Sequence, residues 1–361
     1  MKAAASESLP PLARNSHAMH CKLCLSGLPF SQVEMDSSRI ALGFYCLGTL
    51  DLLGVLETKT TPSEREAWRN WLWEQQTHGR YGSGFKPSPY MTSDILLDEE
   101  SEFDTPHLIM TYTALMSLAI LRDDFSKLDR PGILKFLRSC QRGDGSFSAS
   151  PNGGEADLRI VYCAFVISSL LDDWSGMNVD AAIAYVQRCS SYEGGYGQTP
   201  FGEALGGTTY CAVASLYLAP STPLSPIEHR LSSSERSRII RWLVQKQTSL
   251  GGFSGRTAKA ADACYCFWCG AALNILGAGD LVDSAALASF LGKCQYQFGG
   301  ISKAPSERAD PYHTYLSLAA LAIYKPKGTN ESWELPQVDV LRNATVDTAL
   351  WARNRIRAGE V

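Results

Sequence analysis

The stretch Leu250-Gly-Gly-Phe-Ser-Gly-Arg-Thr-Ala-Lys-Ala-Ala-Asp-Ala-Cys-Tyr265 joins a glycine-rich turn to a long apolar segment. A similar turn, in which glycines precede an aromatic or aliphatic residue, recurs about every 50 to 60 residues. Five copies align: Tyr81-Gly-Ser-Gly-Phe85, Gly143-Asp-Gly-Ser-Phe147, Glu193-Gly-Gly-Tyr196, Leu250-Gly-Gly-Phe253 and Phe298-Gly-Gly-Ile301. Self-similarity of this kind is typical of repeat architectures, so the repeat determines the predicted fold.

Each turn lies between two predicted helices. Apolar segments without a polar face predict buried inner helices after the turns, at residues 107–121, 157–171, 206–218, 262–276 and 311–324. Amphipathic segments predict outer helices before the turns, at residues 126–140, 179–189, 233–247 and 284–294. Residues 39–53, with Ser37 and Ser38 as N-caps, add a sixth inner helix. Because the polar end caps of an open solenoid are missing, we predict an all-α fold, a closed α/α toroid of the α6/α6 barrel type around an apolar funnel.

The chain is expected to form a single domain over residues 1–361. We divide it into an N-terminal segment (1–36), the toroid (37–325) and a C-terminal tail (326–361) that forms a final helix wrapping the toroid. The Pro-rich residues 219–227 are expected to form a loop outside the repeat. His17, His20, Cys21 and Cys24 resemble zinc-finger ligands at first sight, but they lie too close together, so we predict ordinary helix packing there.

Composition excludes several classes of function. The formal net charge of −4 gives no basic surface for nucleic acid or for an anionic membrane. No signal peptide is apparent, and the longest uncharged run, residues 263–279, is shorter than the roughly 20 apolar residues of a membrane span. Eleven cysteines spread along the chain suggest reduced thiols. We therefore expect a cytoplasmic protein that is not an integral membrane protein.

Cations gather where the inner helices begin. Arg256 and Lys259 precede one inner helix and Arg159 begins another. Helix N-termini carry unpaired N–H groups and the positive end of the helix dipole, so this rim attracts anions. An apolar funnel beside three cations suits a ligand with a long hydrocarbon body and a diphosphate head.

Asp262, Cys264 and His313 offer an oxygen, a sulfur and a nitrogen ligand at the same rim. This set suits Zn²⁺ better than Mg²⁺ or Ca²⁺, and three protein ligands leave one position open, as in catalytic zinc sites. Structural roles fit the same residues: Asp262 and Asp310 are placed as N-caps, and most buried cysteines are inert. The spacing alone leaves both interpretations open.

These residues resemble those of a known family. Asp262-Ala-Cys-Tyr265, followed by His313 one repeat later, is similar to the zinc-binding pattern of protein prenyltransferase β subunits. The resemblance covers residues 17–324, and stretches such as Arg159-Ile-Val-Tyr-Cys163 and Asp173-Trp-Ser-Gly-Met177 are most similar to those of type I protein geranylgeranyltransferase β subunits. Such proteins are α/α barrels that work as obligate heterodimers with a helical α subunit. They transfer an isoprenoid from its diphosphate to a cysteine near the C-terminus of CaaX proteins such as Rho-type small GTPases.

The resemblance implies roles for individual residues. Asp262, Cys264 and His313 would bind one Zn²⁺ per β subunit. Arg256, Lys259 and Tyr265 would bind the diphosphate, Arg159 would line the pocket between lipid and peptide, and Tyr265 would also count among the catalytic residues. Lys303 would stand in for the Mg²⁺ that farnesyltransferases recruit, so Mg²⁺ is not expected to be required.

Ala41 and Leu316 match positions at which farnesyltransferases carry bulky aromatic residues that close the lipid funnel. Their smaller side chains imply room for geranylgeranyl diphosphate. Two residues depart from the family pattern. Leu205 replaces a histidine that contacts the diphosphate, and Tyr312 is an aromatic residue typical of the farnesyl enzyme.

Other functions are weighed against this one. A farnesyltransferase β subunit would share almost all of these features. A terpene cyclase would need an acidic D-x-D-D cluster, whereas only Asp123-Asp124 and Asp172-Asp173 occur, both in predicted loops. A non-catalytic toroid that binds a lipid or a helix would be expected to have lost the metal ligands or the basic rim.

Overall fold

A computed structural model describes residues 9–357 except residues 29, 90–104, 152, 222–229 and 327–329. Most of the predicted loop at residues 219–227 therefore lies outside the described residues. Fourteen α-helices occur in the described part: α1 Arg14–Leu25, α2 Arg39–Leu52, α3 Leu56–Lys59, α4 Pro62–Glu74, α5 Leu108–Ile120, α6 Arg130–Cys140, α7 Leu158–Leu171, α8 Val179–Arg188, α9 Gly206–Leu218, α10 Ser233–Val244, α11 Ala263–Ile275, α12 Ser284–Lys293, α13 Pro311–Ile323 and α14 Val346–Arg357. Each of these helices is too short or too polar to cross a membrane.

Three short antiparallel hairpins accompany the helices. They pair β1 Gln76–Gly79 with β2 Gly82–Phe85, β3 Ile301–Ser302 with β4 Ala309–Asp310, and β5 Val338–Asp339 with β6 Ala344–Thr345. The first two hairpins belong to glycine turns of the repeat, and the third belongs to the C-terminal segment.

Six inner helices close into a ring. Helix α2 packs against α5, and the contacts continue from α5 to α7, α9, α11 and α13, which returns to α2. These helices are mostly apolar and buried: in α7, for example, Arg159 is the one residue that is not buried. A helix without a polar face must be covered on all sides, and the ring achieves this by placing α4, α6, α8, α10 and α12 outside. The predicted all-α toroid is confirmed.

The glycine turns have a common geometry. A residue one to three positions after the outer helix pairs with the aromatic or aliphatic residue of the turn, as in Gln141 with Phe147 and Gln247 with Phe253. Gly145 and Gly251 have φ values of +88° and +95°. A Cβ atom on either glycine would lie 2.0 Å from a backbone oxygen of the next outer helix. Glycine is thus required both by the left-handed backbone and by the close approach to the next repeat.

Side-chain caps fix where most inner helices begin. Asp157, Asp262 and Asp310 accept hydrogen bonds from backbone N–H groups of the first turns of α7, α11 and α13. The predicted cap at Ser37 and Ser38 is wrong. Residues 30–38 form a 3-10 helix that runs directly into α2, and Ser38 (φ −128°, ψ 16°) lacks the extended backbone from which a side chain reaches the helix amides.

The outer helix predicted from residue 126 begins four residues later. Asp129 accepts a hydrogen bond from the backbone N–H of Gly132 at 2.9 Å and so caps α6. Upstream, Phe125 has a φ of +59°, which a helix cannot contain, and the N–H of Ser126 donates to Asp124 instead. The other predicted helices in the repeats are correct to within about three residues at each end.

The C-terminal segment has a larger role than the predicted final helix. Tyrosine hydroxyls on four inner helices donate hydrogen bonds to four consecutive carbonyls of the β5–β6 hairpin: Tyr210 to Val340, Tyr162 to Leu341, Tyr112 to Arg342 and Tyr315 to Asn343. Thr345 of β6 and Thr348 of α14 both donate hydrogen bonds to Asp51 at the C-terminal end of α2. The hairpin therefore blocks the end of the ring opposite the helix N-termini.

Candidate active site

Asp262, Cys264 and His313 lie together at the open end of the ring. One ligand atom from each residue lies within 4.8 Å of the other two. Asp262 and Cys264 flank the start of α11, and His313 lies in the first turn of α13, the neighbouring inner helix. Repeat geometry brings the three residues together, because equivalent positions of adjacent repeats meet at the same rim.

Local hydrogen bonds orient these side chains. Asp262 Oδ1 accepts from the backbone N–H of Cys264 at 3.0 Å. Asp310 uses both carboxylate oxygens on His313: Oδ1 accepts from its backbone N–H at 2.9 Å, and Oδ2 lies 2.6 Å from Nδ1. The other ring nitrogen, Nε2, lies 3.3 Å from Asp262 Oδ1. Carboxylates that bind one ring nitrogen of a histidine in this way fix its tautomer for metal binding through the other.

Electrostatics at this cluster favour a bound cation. Burial alone would lower the pKa of His313, but the carboxylates of Asp262 and Asp310 raise it to about 9. Burial and the neighbouring Asp262 carboxylate raise the pKa of Cys264 well above its usual value. Two half-buried carboxylates beside a buried thiol need compensating positive charge, which a proton on His313 or a metal ion provides.

The donor set fits zinc. Ligands 2.0 to 2.3 Å from a tetrahedral ion are separated from one another by roughly 3 to 4 Å. The observed limit of 4.8 Å requires only small side-chain adjustments. Oxygen, nitrogen and thiolate sulfur together suit Zn²⁺, whereas Mg²⁺ and Ca²⁺ prefer oxygen alone. The structure therefore contains a possible metal-binding site at the three residues expected from the sequence.

Arg256 lies on the loop that precedes α11, and Tyr265 lies in the first turn of that helix. Arg256 Nη1 donates to Glu203 Oε2 at 2.6 Å. The ring of Tyr265 packs against Gly255, where an added Cβ would lie 2.1 Å from its Cζ and 2.6 Å from its hydroxyl oxygen. Gly255 therefore lets the tyrosine hydroxyl approach the backbone beside Arg256.

The two lysines of the predicted site also lie near this loop. Lys259 is exposed on it, and Lys303 is exposed at the neighbouring β3 strand. The backbone N–H of Ala263 donates to the carbonyl of Lys303 at 2.8 Å, so Lys303 is held against the start of α11. Within the described part of the chain, neither ammonium group has a carboxylate at ion-pair distance. Both charges are thus available to an anion.

Arg159 lies at the start of α7 with carboxylate partners of its own. Its guanidinium contacts Asp157 Oδ2 at 2.7 Å and Glu155 Oε2 at 2.6 Å. The hydrogen bond with Asp157 raises the pKa of Arg159. Glu203, Glu155 and Asp157 were missed by sequence reasoning, and they partly neutralise the two arginines of the predicted cationic rim.

Aromatic side chains line the inner faces next to the metal cluster. Tyr45 of α2 packs against Tyr312 with 5.2 Å between ring centroids. The hydroxyl of Tyr312 accepts from Trp268 Nε1 at 2.9 Å and also contacts the Cys264 thiol. This hydroxyl contact was not predicted, although Tyr312 immediately precedes His313 in the sequence.

Ala41 and Leu316 occupy neighbouring inner helices. Ala41 lies in the first turn of α2, one turn before Tyr45, and Leu316 lies one turn after Tyr312 in α13. Both side chains are buried, and α2 packs against α13. The two small or aliphatic residues thus lie on the wall that Tyr45 and Tyr312 also form.

Leu205 precedes α9 and makes no side-chain cap. The acidic pairs Asp123-Asp124 and Asp172-Asp173 follow the C-terminal ends of α5 and α7, at the far end of the ring from the metal cluster. Asp172 forms an ion pair with Arg357, and Asp123 accepts from Trp73. These carboxylates have structural partners and lie away from the funnel mouth, unlike the acid of a cyclase.

Comparison with known proteins identifies similar chains. The family profile of the prenyltransferase alpha-alpha toroid domain matches residues 12–344. The geranylgeranyl transferase type-1 subunit beta of Arabidopsis thaliana is 35% identical over 332 residues, which are 87% of this chain and 86% of the relative. The protein of the same name from Dictyostelium discoideum is 37% identical over 318 residues, 83% of this chain and 87% of the relative.

A solved structure has the same fold. The Candida albicans protein geranylgeranyltransferase-I complexed with GGPP superposes with a TM-score of 0.82 at 27% sequence identity. The match covers 96% of this chain and all of that one.

Proposed function

This chain belongs to the prenyltransferase α–α toroid family, and from that premise we propose that it is the catalytic β subunit of a type I protein geranylgeranyltransferase. Two relatives named as β subunits of that enzyme match it over most of its length. The observation that carries the proposal is the Asp262–Cys264–His313 cluster at the mouth of an apolar ring. The proposed reaction forms a thioether between C1 of geranylgeranyl diphosphate and the cysteine of a C-terminal CaaX sequence.

The metal is proposed to be zinc, bound by one Asp262 carboxylate oxygen, the Cys264 sulfur and the Nε2 of His313. A zinc ion there would lower the pKa of the acceptor cysteine, which would then react as a thiolate at neutral pH. Asp310 keeps the His313 ring oriented, because it accepts the proton on Nδ1. Burial of Cys264 keeps bulk water away from its sulfur.

The basic residues of the loop are proposed to bind the diphosphate. As the bond from C1 to oxygen breaks, negative charge grows on the leaving group, and fixed cations lower the energy of that state. In the described structure Lys259 and Lys303 have no carboxylate partner, so their charges can stabilise the departing diphosphate. Lys303 is held beside the start of α11. Its ammonium group would take the place of a divalent ion there. Arg256 and the Tyr265 hydroxyl complete the site, provided that Arg256 exchanges Glu203 for the diphosphate. Arg159 is proposed to line the path between lipid and peptide.

Geranylgeranyl is proposed as the lipid because Ala41 and Leu316 have smaller side chains than the aromatic residues expected at the matching positions of a farnesyltransferase. The additional isoprene unit contributes several kcal/mol of burial at ~0.8 kcal/mol per CH₂ group. Tyr312 favours a farnesyltransferase, the second candidate, because an aromatic residue at this position is typical of the farnesyl enzyme; its ring packs against Tyr45 of α2. The relatives support the first candidate.

The partner is proposed to be a prenyltransferase α subunit, since both curated relatives are named as one subunit of an enzyme. Co-expression with such a subunit, followed by metal analysis, tests the proposal. We expect one zinc per heterodimer, and we expect Cys264→Ala to lose both zinc and transfer activity. Cys266→Ala is a matched control, because Cys266 is buried in the same helix without joining the cluster. A zinc-free heterodimer with full activity would contradict the proposed metal centre.

A strict requirement for Mg²⁺ together with a preference for farnesyl diphosphate would favour the second candidate instead. Peptides ending in Cys-a-a-Leu are the appropriate acceptors, because leucine in the last position directs geranylgeranylation.

A further inference from the structure

A cluster of thiols lies outside the candidate active site, between α1 and α2. Helix α1 packs directly against α2. Cys24 lies one helical turn after both His20 and Cys21, so its side chain adjoins both on the surface of α1. Cys46 of α2 lies opposite this surface, with its thiol next to those of Cys21 and Cys24. None of these residues has a role in the proposed reaction.

Cys24 differs from all the other cysteines in its access to solvent. The remaining ten are buried, whereas Cys24 is partly exposed. Its sulfur lies 4.0 Å from the Nε2 of His20, one turn earlier on the same helix. The His20 ring packs against Gly300, where an added Cβ would lie 2.8 Å from its Cδ2. The accessible sulfur of Cys24 therefore has an imidazole and a buried thiol as neighbours.

The pKa values of the Cys24 and Cys46 thiols are shifted in opposite directions. The hydrogen bond from Cys46, followed by the bond with His20, lowers the pKa of Cys24 against the opposing effect of partial burial. Hydrogen bonding to Cys21 and Cys24, together with burial, raises the pKa of Cys46 well above its usual value. A low-pKa, accessible thiol next to a second, buried thiol is the arrangement of a reactive and a resolving cysteine.

We propose that Cys24 and Cys46 form a peroxide-reactive dithiol that closes to a disulfide between α1 and α2. In the first step the Cys24 thiolate attacks one oxygen of a hydroperoxide; the S–O bond forms, the O–O bond breaks, and the leaving oxygen takes a proton to become water or an alcohol. In the second step the sulfur of Cys46 attacks the Cys24 sulfenic acid. The S–S bond forms, the S–O bond breaks, and the hydroxyl leaves as water with the proton of Cys46. Two thiols are oxidised, one peroxide is reduced, and a thiol reductant reverses the change.

The pairing of Cys24 with Cys46 follows from position. Cys21 and Cys24 lie on the same helix, where a disulfide would have to form within one turn. Cys46 approaches from the facing helix, so a disulfide with Cys24 requires side-chain rotation at the helix interface. Cys21 is fully buried and is out of reach of a peroxide in solution.

The test uses the full chain in complex with its α subunit. The complex is treated with hydrogen peroxide at pH 7, its free thiols are alkylated in denaturant, and disulfide-linked peptides are identified by mass spectrometry. We expect a cross-link between the Cys24 and Cys46 peptides that disappears with dithiothreitol. In Cys46→Ala the cross-link should be lost and Cys24 should become labelled by dimedone as a sulfenic acid. Cys140→Ser, a matched change at a buried thiol of α6, should leave the cross-link unchanged.

Several results would overturn the proposal. Oxidation of other cysteines while Cys24 stays reduced would exclude Cys24 as the reactive thiol. A cross-link of Cys21 with either partner would show that the pairing is wrong. A second zinc atom per complex that is lost in Cys24→Ser would show that the cluster is a metal site. Because the wild-type protein alone can give the first two results, the test does not depend on the variants folding.

Discussion

Asp310→Asn tests how the candidate metal ligand His313 is oriented. In the structure one carboxylate oxygen of Asp310 caps α13 through the backbone N–H of His313 at 2.9 Å, and the other lies 2.6 Å from its Nδ1. Asparagine keeps a single accepting oxygen. If that oxygen retains the cap, an NH₂ group faces the Nδ1–H, so the ring loses its acceptor while the helix start is preserved.

The expected loss can be estimated from this one contact. Removing the carboxylate partner of a metal-binding histidine reduces metal affinity about 10- to 100-fold, which is about 1.4 to 2.8 kcal/mol. A second effect acts in the opposite direction at neutral pH. Asp310 helps to raise the pKa of His313 to about 9, so a metal must displace a proton from wild type at pH 7. The variant has less of this competition, and its affinity deficit should therefore be larger at pH 9 than at pH 7.

Zinc affinity of the purified heterodimer is measured by competition with a chromogenic chelator at both pH values. Asp129→Asn is a matched control, because Asp129 also caps a helix, at Gly132, and lies 3.3 Å from the Nδ1 of His78. The control should bind zinc as wild type does. Unchanged zinc affinity of Asp310→Asn at pH 9 would refute the role assigned to Asp310, and an equal deficit at both pH values would refute the proton competition.

Three further changes test other parts of the structure. Ala41→Trp should shift donor preference from geranylgeranyl toward farnesyl diphosphate by tenfold or more in kcat/KM, because the isoprene unit it displaces represents several kcal/mol of burial; retained farnesyl transfer reports correct folding. Tyr315→Phe should lower the free energy of unfolding in urea by about 1 to 3 kcal/mol, since the carbonyl of Asn343 loses its 2.6 Å hydrogen bond. His17→Gln should reduce the fall in the free energy of unfolding between pH 6.5 and pH 4. Burial lowers the pKa of His17 to about 4, so its stabilising contribution is complete above pH 6.5 and is lost as pH falls toward 4, at up to about 1.4 kcal/mol per pH unit.

Tyr192→Phe serves as the control for the tyrosine change, because Tyr192 is 94% exposed. An unfolding midpoint of Tyr315→Phe equal to that of wild type would contradict the proposed anchoring of the hairpin. If the free energy of unfolding changed with pH in the same way in wild type and in His17→Gln, the buried, neutral state of His17 would be contradicted. For Ala41→Trp, an unchanged donor ratio would show that this wall does not limit lipid length.

Local sequence signals account for much of the fold. The glycine turns predict where adjacent repeats meet, because Gly145 and Gly251 need both a positive φ and a close backbone contact. Aspartates at the helix starts predict the boundaries of α11 and α13, and those boundaries place Asp262 and His313 in equivalent positions of adjacent repeats. The candidate metal cluster could thus be predicted, since it follows from the register of the repeats.

Long-range contacts could not be predicted in the same way. The hairpin that blocks the ring is held by tyrosine hydroxyls more than 25 residues away in sequence, and its own sequence carries no repeat. The one available signal was the tyrosine at the fifth position of four inner helices, among them Tyr112 and Tyr162. Glu203 was missed as the partner of Arg256 because the two come from different repeats. Asp310 was predicted as a cap alone, although its spacing of three residues from His313 also fits a side-chain contact.

The mass of the transfer product is the most direct test of the proposed function. The heterodimer is incubated without added Mg²⁺ with equimolar geranylgeranyl and farnesyl diphosphates and a peptide ending in Cys-a-a-Leu, and a peptide with serine in place of the cysteine is the control. We predict that the cysteine peptide gains mainly a geranylgeranyl thioether and that the serine peptide stays unmodified. A cysteine peptide that remains unmodified, or that carries mainly farnesyl, would contradict the proposed function.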